Sequence, residues 1–130
     1  MAKGYKDLLA EAEAVVTSVT PAEAAALRED PGVVLVDIRD PRELEREGVI
    51  SGAFHAPRGM LEFWIDPESP YHKPVFAEEK TFVFFCAGGL RSLLAAKVAQ
   101  EMGLKARSMR EGFGGWKAAG LPIAEKAARG

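Results

Sequence analysis

The chain has a single cysteine, Cys86, and two histidines, His55 and His72, among its 130 residues. One cysteine excludes an internal disulfide and leaves no second thiol in the chain to resolve one formed on it. Two widely separated histidines and that cysteine lack the spacing of a metal site. Charge of neither sign prevails: 17 basic residues stand against 19 acidic ones, for a net charge of −2. A polyanion-binding surface is therefore not expected, and nucleic acid is set aside as a partner. No apolar run approaches the ~20 residues of a membrane span. The opening MAKGYKDLLAEAEAVV has no apolar core of signal-peptide length. There is no internal repeat, no Walker pattern and no dinucleotide-binding glycine fingerprint. The expectation is a cytoplasmic protein in a reducing compartment, without a cofactor and without a membrane partner.

What is present is an alternation of apolar runs and helical patterns. Residues 5–16 read as an amphipathic helix with Leu8, Leu9, Ala12 and Val16 near one face. It would pack on the domain or on a second subunit, the latter giving a homodimer. VTSVT is a short β-branched stretch. Thr20, Pro21 and Glu23 then form a capping-box start, repeated at Asp40, Pro41 and Glu43. GVVLVDIRD and TFVFFC are continuous apolar runs, as in strands buried on both faces. AFHAP and KARSMR are weaker strands. RGMLEFWI looks helical, as does LRSLLAAKVAQEM, in which Leu90, Leu94, Val98 and Met102 recur every fourth residue. Gly103 stands where a left-handed helix cap is wanted, and EGFGGWKAAG reads as a glycine-opened helix. Strands joined by helices imply an α/β domain with a mainly parallel sheet covered on both faces. The division expected is a helical extension over residues 1–16 and one domain over 17–126.

In such sheets ligands bind beyond the carboxyl ends of the strands, and Cys86 is read as the last residue of a central strand there. A thiol attacks as the thiolate, so a reactive cysteine needs its anion stabilised. The segment CAGGLRS offers three sources. A helix beginning near Leu90 points its positive end and orphan amides back at the loop. Gly88 and Gly89 let successive N–H groups turn inward as an anion nest. Arg91 adds a full charge. Cysteine also fills cores inertly, but strand end, glycine pair, arginine and helix start within seven residues favour a reactive thiol. The candidate anion hole is the backbone of Ala87, Gly88, Gly89, Leu90 and Arg91.

Four segments resemble the rhodanese-type sulfurtransferase family. VVLVDIRDPRELEREG is similar to its strand with Asp-x-Arg and acidic helix, GVISGAFHAP to its Gly-His-Ile-Pro-Gly-Ala turn, CAGGLRS to its Cys-x-x-Gly-x-Arg-Ser loop, and EGFGGWKAAGLP to its terminal tryptophan and Gly-x-Pro signature. Val49 stands where the family usually has histidine, and Ser51 where it usually has proline. The resemblance covers roughly residues 17–124. It implies a three-layer rhodanese-like domain with a central, mostly parallel sheet of about five strands. It implies sulfane-sulfur transfer through a persulfide on Cys86, from a small anionic donor such as thiosulfate to a thiol or cyanide acceptor.

Two alternatives stand beside it. A cysteine-dependent phosphatase or arsenate reductase uses a longer cradle, with five residues between cysteine and arginine, whereas four separate Cys86 from Arg91. A non-catalytic rhodanese-like binding module is the other. Among the remaining residues, Arg91 has two readings: it binds the sulfonate end of thiosulfate, or it turns away and pairs with Asp37 to lock the loop, the pairing being favoured. Asp37 and Arg39 are read as architecture, and Ser92 as a residue that hydrogen-bonds within the first helical turn or approaches the thiolate, the former favoured. Arg58, just beyond a strand, is placed at the mouth of the site as a candidate for attracting anionic donors. His72 and Lys73 share that candidacy against a surface role. His55 is read as a satisfied core or edge histidine, Phe113 and Trp116 as core, and Phe63 and Trp64 as residues able to wall a pocket.

Overall fold

A computed structural model describes residues 2–127. Five strands run β1 (Thr17–Val19), β2 (Val33–Asp37), β3 (Phe54–His55), β4 (Thr81–Phe85) and β5 (Lys105–Met109). Six helices run α1 (Tyr5–Val15), α2 (Pro21–Leu27), α3 (Pro41–Glu47), α4 (Leu61–Ile65), α5 (Leu90–Glu101) and α6 (Gly112–Ala118). The sheet order is β1-β5-β4-β2-β3, and every pairing is parallel, so the sheet is wholly rather than mostly parallel. β5, β4 and β2 lie at its interior, and in β4 Phe82, Val83, Phe84 and Phe85 are all fully buried.

Two hydrophobic clusters cover the two faces. One gathers Val36, Phe82, Phe84 and Cys86 with residues of α1, α4 and α5. The other gathers Leu35, Val83, Phe85 and Met109 with Ala24 of α2 and Phe113 and Trp116 of α6. Both short helices after β1 and β2 open on the capping box read from the sequence. Thr20 and Glu23 exchange hydrogen bonds between side chain and backbone, and Asp40 and Glu43 close the second box the same way.

Two expected faces are redrawn. The buried stripe of α5 is Ser92, Leu93, Ala95, Ala96 and Ala99. The four-residue row from Leu90 lies beside that stripe, and Leu90 itself is exposed. Small alanines let α5 approach the sheet closely, and α1 packs against α5 within the same cluster. The extension α1 is seated on its own domain through Ala12, Val16 and Leu9, with Leu8 left exposed. Gln100 of α5 donates to the Val15 carbonyl at 3.1 Å and fixes the end of α1. Val49, at the turn that departs from the family pattern, forms an antiparallel bridge with Ala124 and so ties the C-terminal segment to α3. Among the described residues, no helix is long and apolar enough to cross a membrane.

Candidate active site

β4 ends at Phe85, so Cys86 opens the loop rather than closing the strand. Its residue is 1% exposed, while Ala87, Gly88, Leu90 and Arg91 above it are exposed. Burial alone would suit an inert thiol. The polar groups aimed at the sulfur argue otherwise. Gly89 N–H donates to Sγ at 3.2 Å, and the Sγ–H donates to Ser92 Oγ at 3.6 Å. The sulfur thus sits at the N-terminus of α5, a 12-residue helix whose first amides have no intrahelical acceptor.

The loop is held from behind by α6. Phe113 N–H donates to the Cys86 carbonyl at 2.8 Å, and Gly114 N–H to the Ala87 carbonyl at 3.0 Å. A trans peptide points its N–H opposite its C=O, so anchoring these carbonyls aims the N–H groups of Ala87 and Gly88 away from α6. The close approach requires Gly112. A Cβ there would lie 2.4 Å from the Cys86 carbonyl oxygen, and its φ of +55° is left-handed. Glu111, just before it, also takes a left-handed φ of 65°, a strained conformation for a residue with a side chain. The chain accepts that strain in a turn that directs the α6 amides onto the loop.

Arg91 does not pair with Asp37. Its two terminal nitrogens meet the two carboxylate oxygens of Glu43 at 2.9 Å each, a bidentate clamp between the first turns of α5 and α3. The Arg91 guanidinium holds the Glu43 carboxyl down to about 2. Glu43 in turn pushes Arg91 above its already high range, and Cys86 adds a smaller push in the same direction, so the guanidinium is within electrostatic reach of the sulfur. Asp37 is taken by Arg39, with Nη2 to Oδ2 at 2.7 Å and both side chains almost fully buried. Arg39 also donates to the Gly48 carbonyl and lies 4.1 Å over the Phe113 ring. It therefore joins the end of β2 to α3 and α6. His55 Nε2 lies 2.7 Å from the Arg39 carbonyl oxygen, at the edge of that arrangement.

The structure brings Cys86, the 87–91 backbone, Ser92 and Arg91 together, with Asp37 and Arg39 buried one strand away. Arg58 lies beyond β3 and is engaged by Glu62 at 2.8 Å. Lys73 lies 4.8 Å from the Trp64 ring centroid, and Phe63 is exposed. A groove of about 730 Å³ between α3 and the C-terminal segment contains no residue of the cysteine loop. A cleft of about 430 Å³ does touch it, through Gly88, Gly89 and Leu90.

Sequence reasoning missed two residues here. Glu43 was legible only as a helix cap, although it serves as cap and clamp together. Ser108 on β5 lies 2.9 Å from Ser92 Oγ and gave no signal, because a serine in a weak strand has no pattern of its own.

Comparison with known proteins agrees with this architecture. The 32% identity to thiosulfate sulfurtransferase GlpE of Actinobacillus pleuropneumoniae serotype 5b (strain L20) extends over 108 residues, 82% of this chain and 92% of that protein. A Rhodopseudomonas palustris structure, of a protein of unknown function described as a possible tyrosine phosphatase, is 57% identical with a TM-score of 0.91, covering 95% of this chain and 96% of that one. A thiosulfate sulfurtransferase from Pseudomonas aeruginosa shares the fold at 21% identity and a TM-score of 0.70, over 85% of this chain and 19% of that one. The family model for the rhodanese-like domain matches residues 20–119, a span that runs from the cap of α2 through the cysteine loop to the end of α6, and the chain belongs to that family.

Proposed function

We propose that the protein is a sulfurtransferase that carries sulfane sulfur as a persulfide on Cys86. The observation that carries this reading is the Gly89 N–H on Sγ, in a loop whose arginine is already held by a carboxylate. In the first step the Cys86 thiolate attacks the sulfane sulfur of a donor such as thiosulfate. The new S–S bond forms as the old one breaks, and sulfite leaves with the bonding pair. In the second step a thiol or cyanide attacks the outer sulfur, and the electron pair returns to Cys86. The attacking thiolate and the persulfide are each anions that backbone N–H groups accept. Arg58 holds Glu62 through Nη1 alone, so it would not have to release that carboxylate to meet a sulfonate. A single thiol suits a reducing cytoplasm.

A second reading, a phosphatase, is favoured by the description of the 57% identical relative. Against it stand the four-residue spacing to Arg91 and the Glu43 clamp, which occupies the Nη1/Nη2 fork of the guanidinium. Incubation with thiosulfate and intact-mass measurement decides. The expected outcome is one added sulfur on the wild type, none on Cys86→Ala, and negligible turnover of aryl phosphates by either. Robust aryl-phosphate turnover without sulfur loading would reverse the ranking.

A further inference from the structure

We propose that Ser108 is a positioning residue for the Cys86 sulfur, acting through Ser92; the inference rests on Cys86 being the nucleophile. The hydroxyl geometry leads to it. Ser92 Oγ has one hydrogen and two lone pairs, and three groups lie around it. The Cys86 thiol donates to it at 3.6 Å, the Gly89 carbonyl accepts from it at 3.3 Å, and Ser108 Oγ lies 2.9 Å away. With the thiol protonated, every group is satisfied only when Ser108 donates and the Ser92 hydrogen faces Gly89. When the thiol loses its proton, the Ser92 hydrogen is free to turn to the sulfur, while Ser108 still fills a lone pair of Ser92. Ser108 therefore fixes the one hydroxyl that serves the sulfur in both states. A donated hydrogen bond also polarises the O–H that receives it, making Ser92 a better donor.

Both serines are nearly fully buried, at 0% for Ser92 and 2% for Ser108, so water does not substitute freely. Ser108 lies on β5, outside the loop motif, and nothing in the cysteine segment specifies it. Ser108 borders the same cleft of about 430 Å³ that touches the loop, with Glu13 of α1, Arg110 and Glu111 also on its walls. From the α5 side the charged neighbour of the sulfur is Arg91, itself balanced by Glu43 of α3. These charges are left in place when Ser108 is altered.

The test uses iodoacetamide alkylation of Cys86, read by intact mass, which reports the thiolate whatever it attacks. Ser108→Ala is expected to slow alkylation at pH 7 by about 3- to 10-fold, the size of one hydrogen bond, and to match the wild type at pH 10, where the thiol is ionised in both. Ser92→Ala is expected to slow it at least as much, and adding Ser108→Ala to Ser92→Ala to change little further. The isosteric pair Ser108→Thr and Ser108→Val carries the same comparison if alanine does not fold, with the rate retained by Thr and lost by Val. An unchanged rate at pH 7, equal slowing at pH 7 and pH 10, or full additivity of the two alanines would overturn the proposal. Because alkylation needs no sulfur donor, these outcomes are independent of whether thiosulfate is a substrate.

Discussion

Two arginine–carboxylate pairs stand near the same end of the sheet and do different work. Asp37–Arg39 is sealed, with side chains 3% and 1% exposed, and Arg39 Nη2 also donates to the Gly48 carbonyl at the end of α3. Glu43–Arg91 is open on one side, at 18% and 44% exposed, and spans two helix starts. The sealed pair exists to close off polar groups in a dry place. Removing one partner there strands a charge. The open pair keeps water as an alternative partner for both groups, so it costs little to break and is able to exchange partners. The difference teaches that burial, not pairing geometry, decides which of the two is structural glue and which is adjustable.

The largest test of this contrast is Arg39→Met. Leaving Asp37 buried and uncompensated is expected to cost about 3–5 kcal/mol, read by urea unfolding; a loss below about 1 kcal/mol would erase the contrast. Next is Glu43→Gln. Its stability cost is expected to be about 1 kcal/mol or less, but it releases the Arg91 fork. The KM for thiosulfate should then fall roughly 2- to 5-fold and inhibition by phosphate should appear, since a freed guanidinium offers paired donors to oxyanions. An unchanged KM with no phosphate inhibition would mean that Arg91 serves the loop only as a strut. The smallest effect is on acid stability. Glu43 ionises at about 2 in the folded protein against an ordinary value of 4.5. A lowered folded value means that its stabilisation is complete above about 4.5 and is lost as pH falls toward 2. Wild type should therefore lose its advantage over Glu43→Gln across that window, a convergence measurable in melting temperatures; a constant gap across it would count against the clamp.

Much of the fold was legible because two of the three interior strands, β2 and β4, advertise themselves. Val33–Asp37 and Thr81–Phe85 are apolar runs bounded by turn residues, and the structure ends them within a residue of where the sequence does. The capping boxes at Thr20 and Asp40 were equally plain, since they are local exchanges over three residues. The face of α5 was not, because its buried stripe is alanine and serine, and bulky residues drew attention to the flank. The partner of Arg91 was hidden for a different reason. Glu43 precedes it by 48 residues and already had a local role to explain its presence. Asp37 was a reasonable alternative on topology, but Arg39 lies two residues from it and reaches it without leaving the strand end. Asp37 took the nearer arginine, whereas Glu43 took the distant Arg91 although Arg42 and Arg46 lie beside it in the chain.

The attachment of the cysteine loop to α6 bears on how portable this chemistry is. Seven contiguous residues carry the sulfur and its cradle, which suggests a cassette for transplanting onto another parallel sheet. The carbonyls behind that cradle are held by amides 113 and 114, reached across a glycine whose replacement would collide with the loop backbone. A graft that moves residues 86–92 alone would carry the reacting atom without the part that aims its surroundings. The smallest transferable unit is the loop together with the left-handed turn and first turn of α6, two segments distant in the chain that behave as one component.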